Sequence, residues 1–383
     1  MLEAVRPSLI RRMSALSQEH GAIDLVHGAP DFACPVALKR SAAHAIDSDV
    51  NQYAISYGSR GLREAIAGHV GRFSAEWDVD PATELCVTCG STGGLASTLL
   101  ALLSPGDEVV VIEPAYDGYV PAVTAFGGIP RFARLDPRDW SLDEAQLKAA
   151  FNDRTAAILV NTPHNPTGRV LRREELLVVS ELCNRYDAVC ISDEVYQNIH
   201  YLDTGPLAPV ARVPGLEDRT ISISSLSKTF AVTGWRVGWA IASAAAMESI
   251  RKAHDLLTAG APAPLQIGGV AALTQDDAFY DELTLQYTSR RDLLCHGLDE
   301  VGLACALPEG ATYAFCETTL VDPDGDDVRF AGRLVTDAGV GVLPGSNFFE
   351  VSAAGRRYLR VSFARSDDTI LEALDRLRRA RLR

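Results

Sequence analysis

What the chain lacks narrows it first. Nowhere do apolar residues run long enough to span a bilayer, so no membrane span is expected. Positive charge is in deficit: 36 Lys and Arg stand against 50 Asp and Glu, a formal net charge of -14. No basic stripe breaks that balance, which argues against a nucleic-acid partner. The first residues carry Arg6, Arg11 and Arg12 but also Glu3 and Glu19, with no apolar core between them. They do not read as a secretory signal. Residues 1–20 are expected to form a short amphipathic helix instead. The 8 cysteines are scattered, and only Cys86 and Cys89 have Cys-x-x-Cys spacing. Without a second such pair or a His pair nearby, no metal site is expected. Buried free thiols point to a reducing, cytoplasmic compartment. Repeats, linkers and low-complexity tracts are missing too.

What is present is an ordinary globular composition: 383 residues, 47% hydrophobic and 22% charged. The length suggests two domains. Asp24 to Val26 reads as a short strand before a Gly/Pro turn, Gly28-Ala29-Pro30-Asp31-Phe32. A helix starts near Gly61. From residue 85 strands and helices alternate. Apolar, nearly continuous runs at Glu108–Ile112, Ala156–Val160, Ala188–Ser192, Thr220–Ser224 and Val237–Ala242 read as strands covered on both faces. Between them lie helices, one opening on a capping box of Ser141 and Glu144 and another at Glu174–Tyr186. This predicts an α/β domain with a mostly parallel sheet. After about residue 285 the pattern becomes a smaller α+β domain. It has a helix over Arg290–Val301, strands near Thr312–Glu317, Gly341–Leu343 and Tyr358–Phe363, and a last helix from Ser366.

One stretch organises the chemistry: Ser225-Leu226-Ser227-Lys228-Thr229-Phe230, followed by Gly234-Trp235-Arg236-Val237-Gly238. Lys228 is either a lysine snorkelling from a strand end or a desolvated amine able to act as a nucleophile. Arg236 and the hydroxyls of Ser225 and Ser227 suit a phosphate. Gly90-Ser91-Thr92-Gly93-Gly94 joins a strand to an apolar helix, a second place for an anion, and it is not a Walker loop. Tyr116 is a core aromatic or a ring that stacks on a flat ligand. Asn165, in Asn161-Thr162-Pro163-His164-Asn165-Pro166-Thr167-Gly168, sits in a rigid turn. Asp193 at a strand end is either a helix cap or a buried carboxylate in need of a cationic partner. Arg360, the one charge in Leu359-Arg360-Val361-Ser362-Phe363, wants a bidentate anion or an internal salt bridge.

Ser225-x-Ser227-Lys228, with Gly234-x-Arg236-x-Gly238 after it, resembles the lysine signature of the class I/II aminotransferases of the aspartate aminotransferase fold. The resemblance runs from about residue 24 to 364 through six motifs in the family's order. It implies a fold type I transferase, α/β, with pyridoxal 5'-phosphate as cofactor. The implied division is an N-terminal helix and part of the small domain at 1–35, a large cofactor-binding domain at 36–285, and a small C-terminal domain at 286–383. Lys228 would carry the cofactor as a Schiff base, and Gly90, Ser91, Thr92, Ser225, Ser227 and Arg236 would hold its phosphate. Tyr116 would stack on the ring, Asp193 would bind the pyridine nitrogen, and Asn165 and Tyr196 would face the phenolic oxygen. Arg360, Gly28 and Asn165 would hold the substrate. Tyr53 would cross a homodimer interface to the neighbour's phosphate, so the active sites would be shared.

The implied reaction moves an amino group between an L-amino acid and a 2-oxo acid. The same residues would also serve β-elimination, decarboxylation or cyclisation. The dicarboxylate-specific branch carries a second arginine near the stretch equivalent to Thr258-Ala259-Gly260-Ala261-Pro262, and here that stretch is small and apolar. The wording Gly28-x-Pro30-Asp31-Phe32 and Thr233-Gly234-Trp235-Arg236 is nearer the aromatic, methionine and kynurenine-type branch, so a neutral or aromatic side chain is expected. The sensor domain of a transcription regulator would need a basic helix-turn-helix ahead of a core that begins near residue 24.

Overall fold

The computed structural model describes residues 8–74, 77–205 and 207–380, so residues 1–7 of the expected N-terminal helix lie outside the described residues. Helix α1 (Leu9–Glu19) starts where the Ser8 hydroxyl accepts from Arg11 N. In chain order the strands are β1 (Ile23–Asp24), β2 (Leu85–Thr88), β3 (Glu108–Glu113), β4 (Ile129–Arg134), β5 (Thr155–Asn161), β6 (Val189–Asp193), β7 (Thr220–Ser225), β8 (Gly238–Ile241), β9 (Tyr313–Glu317), β10 (Val340–Gly341), β11 (Leu343–Pro344) and β12 (Tyr358–Ser362). Seven of them form one sheet in the order β2-β8-β7-β6-β5-β3-β4. The run from β7 to β4 is parallel, and β8 is antiparallel to both its neighbours. This is the expected α/β class with a mostly parallel sheet.

The near-continuous apolar runs behave as sheet residues with two covered faces. Along β3, Val110 and Ile112 join one core while Val109 and Val111 join another. Alternate side chains leave a strand on opposite sides, so one Val-rich run feeds two layers. The remaining helices are α2 (Val36–Asp47), α3 (Arg60–Phe73), α4 (Gly90–Leu102), α5 (Tyr119–Ala125), α6 (Glu144–Ala150), α7 (Arg173–Tyr186), α8 (Ala244–Thr258), α9 (Ala263–Leu273), α10 (Asp277–Glu300), α11 (Asp327–Arg333) and α12 (Asp367–Ala380). Among the described residues no helix is long and apolar enough to cross a membrane.

Several expectations need correction. The Ser141–Glu144 capping box does not form, because Asp143 is the cap: its carboxylate accepts from Ala145 N and Gln146 N at 3.0 and 3.1 Å. The helix expected at Arg290–Val301 starts at Asp277, since its buried stripe begins with Tyr280 and Leu283. Strand β4 was not expected; it is an edge strand with a half-exposed Ile-Pro-Arg-Phe sequence rather than an apolar run. The strand at Gly341–Leu343 is two strands in two sheets. β10 pairs with β1, whereas β11 joins the antiparallel sheet β11-β12-β9.

At the carboxyl end of β6 the carboxylates of Asp193 and Glu194 part ways. Glu194 Oε1 accepts from Ser192 Oγ at 2.8 Å, from Val210 N at 3.1 Å and from Ser222 Oγ at 3.4 Å. Burial pushes its pKa up from 4.5 to about 7, against these hydrogen bonds, which lower it. The folded chain therefore holds this proton more tightly than the unfolded chain does. The stability so gained is fully present below pH 4.5 and is lost as pH rises through about 7. His69 and His164 act in the opposite sense, since burial lowers each from 6.5 to about 4 and stability falls as pH drops through that window. Glu194→Gln isolates the carboxylate. Urea midpoints of variant and wild type, measured from pH 5 to pH 8, should diverge in the variant's favour as pH rises. A difference that does not change with pH would refute this assignment.

Candidate active site

In open α/β sheets ligands bind outside the carboxyl ends of the strands. Here β5, β6 and β7 end side by side, with Asn161 opposite Asp193 and Asp193 opposite Ile223. A cavity of about 310 Å³ opens at that edge. Every residue nominated from the sequence lines it except Gly90 and Tyr53.

One end of the cavity is built for an anion. Helix α4 starts directly after β2 at Gly90, with φ +69° and no side chain capping its first turn. A Cβ at Gly90 would lie 2.3 Å from Arg236 Nη2. A Cβ at Gly238 would lie 2.6 Å from Gly90 C and 2.7 Å from Ser91 N. Glycine is required at Gly238 because the start of β8 touches the first turn of α4, and at Gly90 because its φ is positive and the Arg236 guanidinium lies against it. That contact holds the Arg236 guanidinium at the helix start, where Nη1 donates to Thr233 O at 2.9 Å. Ser91, Thr92, Ser225 and Ser227 complete the lining. Uncapped helical N–H groups, the helix dipole and a guanidinium together suit a phosphate.

At the centre Asp193 is half-buried and is not a helix cap. Tyr119 Oη donates to its Oδ2 at 2.7 Å, and Asn161 Nδ2 donates to its backbone O at 2.9 Å. Burial raises the Asp193 pKa, and the Tyr119 hydrogen bond opposes that rise. Such a carboxylate suits a protonated ring nitrogen. Asn161 Oδ1 accepts from Asn165 N at 2.7 Å, and Asn165 Oδ1 accepts from Arg360 Nη1 at 2.9 Å. With its carbonyl so used, the Asn165 side chain offers its amide N–H to the cavity. Tyr196 and Tyr313 hydroxyls lie 2.9 Å apart. Burial pushes Tyr196 well up; Tyr313 is also raised by burial, but Lys228 and Arg360 outweigh it and hold Tyr313 below its usual value. Tyr116 meets Tyr119 edge to face at 5.3 Å, leaving its own ring on the cavity wall.

Lys228 Nζ donates to Gly28 O at 3.0 Å and lies 5.9 Å from the centroid of the Tyr196 ring. It points into the cavity, not to solvent. Gly28 must lack a side chain, since a Cβ there would fall 1.8 Å from Tyr313 Oη.

Arg360 on β12 lines the same cavity as Lys228. It is 2% exposed, its Nη2 donates to Val26 O at 2.6 Å, and its guanidinium lies over the rings of Tyr313 and Phe348 at 4.2 and 5.1 Å. Among the described residues no carboxylate pairs with it, so the internal salt bridge is not what is found. Its Nε is buried without a partner. Asp117 is near enough to feel the charge, but burial pushes that carboxyl up and makes it a poor counter-ion. A ligand carboxylate fits the vacancy in the charge balance.

Sequence reasoning missed Tyr119, Tyr313 and Asn161. Asn161 stood in a motif already quoted, at a strand end. The two tyrosines had no local signal, since the fold alone brings them to Asp193 and Arg360. Tyr53 lies away from this cavity and is 91% exposed.

Comparison with known proteins agrees with this geometry. A family profile described as "Aminotransferase class I and II" matches residues 21–377. The chain is 34% identical over 371 residues to methionine aminotransferase of Escherichia coli K12, covering 97% of this chain and 95% of that protein. The solved N-succinyldiaminopimelate aminotransferase of Mycobacterium tuberculosis superposes with TM-score 0.95 at 36% identity, over 99% of this chain and 98% of that one. The Thermus thermophilus aspartate aminotransferase bound to maleate gives TM-score 0.90 at 32% identity, over 99% and 98%. A motif order, a fold and a family match that all span nearly the whole chain lead to one conclusion: the chain belongs to the class I and II aminotransferases.

Proposed function

We propose that the chain uses pyridoxal 5'-phosphate to exchange an amino group between an L-amino acid with a neutral or aromatic side chain and a 2-oxo acid. The observation that carries this is the meeting, in one cavity, of the Lys228 amine, the Tyr119-supported Asp193 carboxylate, an anion cup and an unpaired Arg360. Each suits a different part of cofactor or substrate.

When bound, pyridoxal phosphate supplies an aldehyde for an amine and a ring that draws off the electron pair released at the substrate Cα. The chain's residues do the rest. Arg236, Ser225, Ser227 and the first turn of α4, from Gly90 through Ser91 and Thr92, hold the phosphate. Tyr116 packs on the ring. Asp193, positioned by Tyr119, keeps the ring nitrogen protonated, because a cation beside it relieves the cost of its buried charge. Asn165 and Tyr196 donate to the phenolic oxygen. Lys228 would be the attachment point, and its Nζ would hold and move the proton at Cα. Arg360 binds the α-carboxylate.

The basic side chains lining the cavity are His27, Lys228, Arg236 and Arg360; the last three already have tasks, and His27 Nδ1 lies 2.8 Å from Asp24 Oδ2. Thr258 to Pro262 adds none: Ala259 is left-handed, Gly260 backs onto Ser56, and Ala261 is buried. A second substrate carboxylate would meet no dedicated cation of this chain and would be costly to desolvate. Ile10, Ala29 and Val195 offer an apolar side chain a better surface. An aspartate aminotransferase is among the structural neighbours, so a donor panel decides. Methionine, phenylalanine and other neutral amino acids should show higher kcat/KM than aspartate, with the 2-oxo acid as product. A higher value for aspartate would contradict this substrate class. Release of ammonia or carbon dioxide in place of the 2-oxo acid would contradict transamination.

We also infer a two-fold homodimer. Tyr53, Ile55 and Leu256 are 91, 53 and 80% exposed, and Gly260 packs on Ser56, so the Tyr53 loop and the end of α8 share one apolar surface. The seven-stranded sheet and its helices support a large unit at 36–285, and the sheet β11-β12-β9 a small one at 286–383, with 1–35 packing on it. The free cysteines support a cytoplasmic site, which cell fractionation checks. In the shared-site dimer, Lys228→Ala and Tyr53→Ala damage different halves of one site. Each parent homodimer should be weak, with the lysine variant essentially dead. The purified heterodimer keeps one intact site and should approach half of wild-type activity. Activity no higher than the parents' average would place Tyr53 outside a shared site.

A further inference from the structure

Three cysteines of the small-sheet region stand together, away from the active site and unused by it. Cys295 lies on α10 and Cys316 on β9. Cys305 lies on the segment that returns from α10 and makes a single antiparallel bridge to Cys316. Its thiol lies close enough to both other thiols for each to shift the other's titration. Cys316 is fully buried, whereas Cys305 and Cys295 are partly exposed. Among the described residues no cluster of His, Cys, Asp or Glu is arranged to hold a metal, so the grouping is not a metal centre.

The backbone decides what the grouping can do. Glu317 N donates to Ala304 O at 2.8 Å, a bond between the residues flanking the pair. That makes Cys305 and Cys316 a non-hydrogen-bonded antiparallel pair, the kind whose Cα atoms stand ~4.5 Å apart with side chains on the same face. A disulfide spans Cα separations of roughly 4.4–6.8 Å. The pair can therefore be bridged without moving the backbone, at the strained end of the range where the bond is readily reduced. Hydrogen bonds from Cys295 and then Cys316 hold the Cys305 thiol well below its usual range, and the donors are pushed up. Of the cross-strand pair, the partly exposed sulfur is thus also the one that better carries the thiolate.

We propose that Cys305 and Cys316 are a peroxide-reactive modification site that closes to a reversible cross-strand disulfide. The Cys305 thiolate attacks a peroxide oxygen; the O–O bond breaks, hydroxide leaves and takes a proton, and the sulfur becomes a sulfenic acid. The Cys316 thiol then attacks that sulfur, the S–S bond forms, the S–O bond breaks and water leaves. Two thiols lose two electrons, and one peroxide is reduced to two waters. A small thiol reductant reverses the bond by exchange.

The test uses the purified holoprotein and hydrogen peroxide. After alkylation of free thiols, cleavage at Glu300, Glu309 and Glu317 puts the three cysteines on separate peptides. Peptide 301–309 should appear linked to 310–317, with loss of two of the 8 free thiols, and dithiothreitol should restore both. Cys295→Ser should keep the link, and Cys305→Ser should abolish it while Cys316 stays alkylatable after unfolding. Two results would overturn the proposal. One is alkylation of Cys305 and Cys316 unchanged after peroxide; the other is a Cys305 link to Cys295 alone.

Discussion

A cation buried without a counter-ion is the constraint around which the site is arranged. Arg360 sits on a strand of the small sheet, yet its guanidinium is held by Asn165 from the loop after β5 and by Val26 from the N-terminal segment. Three parts of the chain meet at one charge. Hydrogen bonds to an amide and a carbonyl, and the rings of Tyr313 and Phe348, make the burial tolerable. They do not neutralise it. Burial of an unpaired charge costs several kcal/mol, so the folded chain keeps a standing preference for an anion at that point. Folding has in effect pre-organised half of a carboxylate site.

The other end of the cavity rests on contact rather than charge. Glycine at 238 lets β8 and the start of α4 touch, and glycine at 90 leaves room for the Arg236 guanidinium against the helix start. Between the two arginines, β6 ends in adjacent carboxylates with opposite duties. Glu194 is satisfied by hydroxyls and a backbone N–H below the sheet edge. Asp193 is left facing the cavity with a tyrosine hydroxyl as support. The same period-two alternation that divides the core into two layers also separates these two groups.

Most of this was legible in the sequence where a signal is local. The buried parallel strands wrote themselves as β-branched runs, and the loops at their carboxyl ends carried the nominated residues. The branch wording at Lys228 specified a family whose fold then accounted for the distant Arg360. What was not legible depends on tertiary neighbours. β4 is an edge strand whose Arg131 and Arg134 pair with the carboxylates of Glu108 and Glu113, so its composition resembles a loop. Tyr119 and Tyr313 acquire their roles from what the fold places opposite them. The start of α10 was missed because its stripe mixes Tyr, Thr and Arg with Leu, a pattern in which the apolar period is weak.

The central claim is that Arg360 is kept unpaired for a substrate carboxylate. Steady-state kinetics of Arg360→Ala with a good amino acid donor tests it, with cofactor loading checked by absorbance. Removing one partner of a buried charge pair costs about 2–5 kcal/mol, so KM for the amino acid should rise roughly thirtyfold or more at full loading. The wild type should correspondingly bind the decarboxylated amine poorly. A fully loaded variant with unchanged KM would contradict the account.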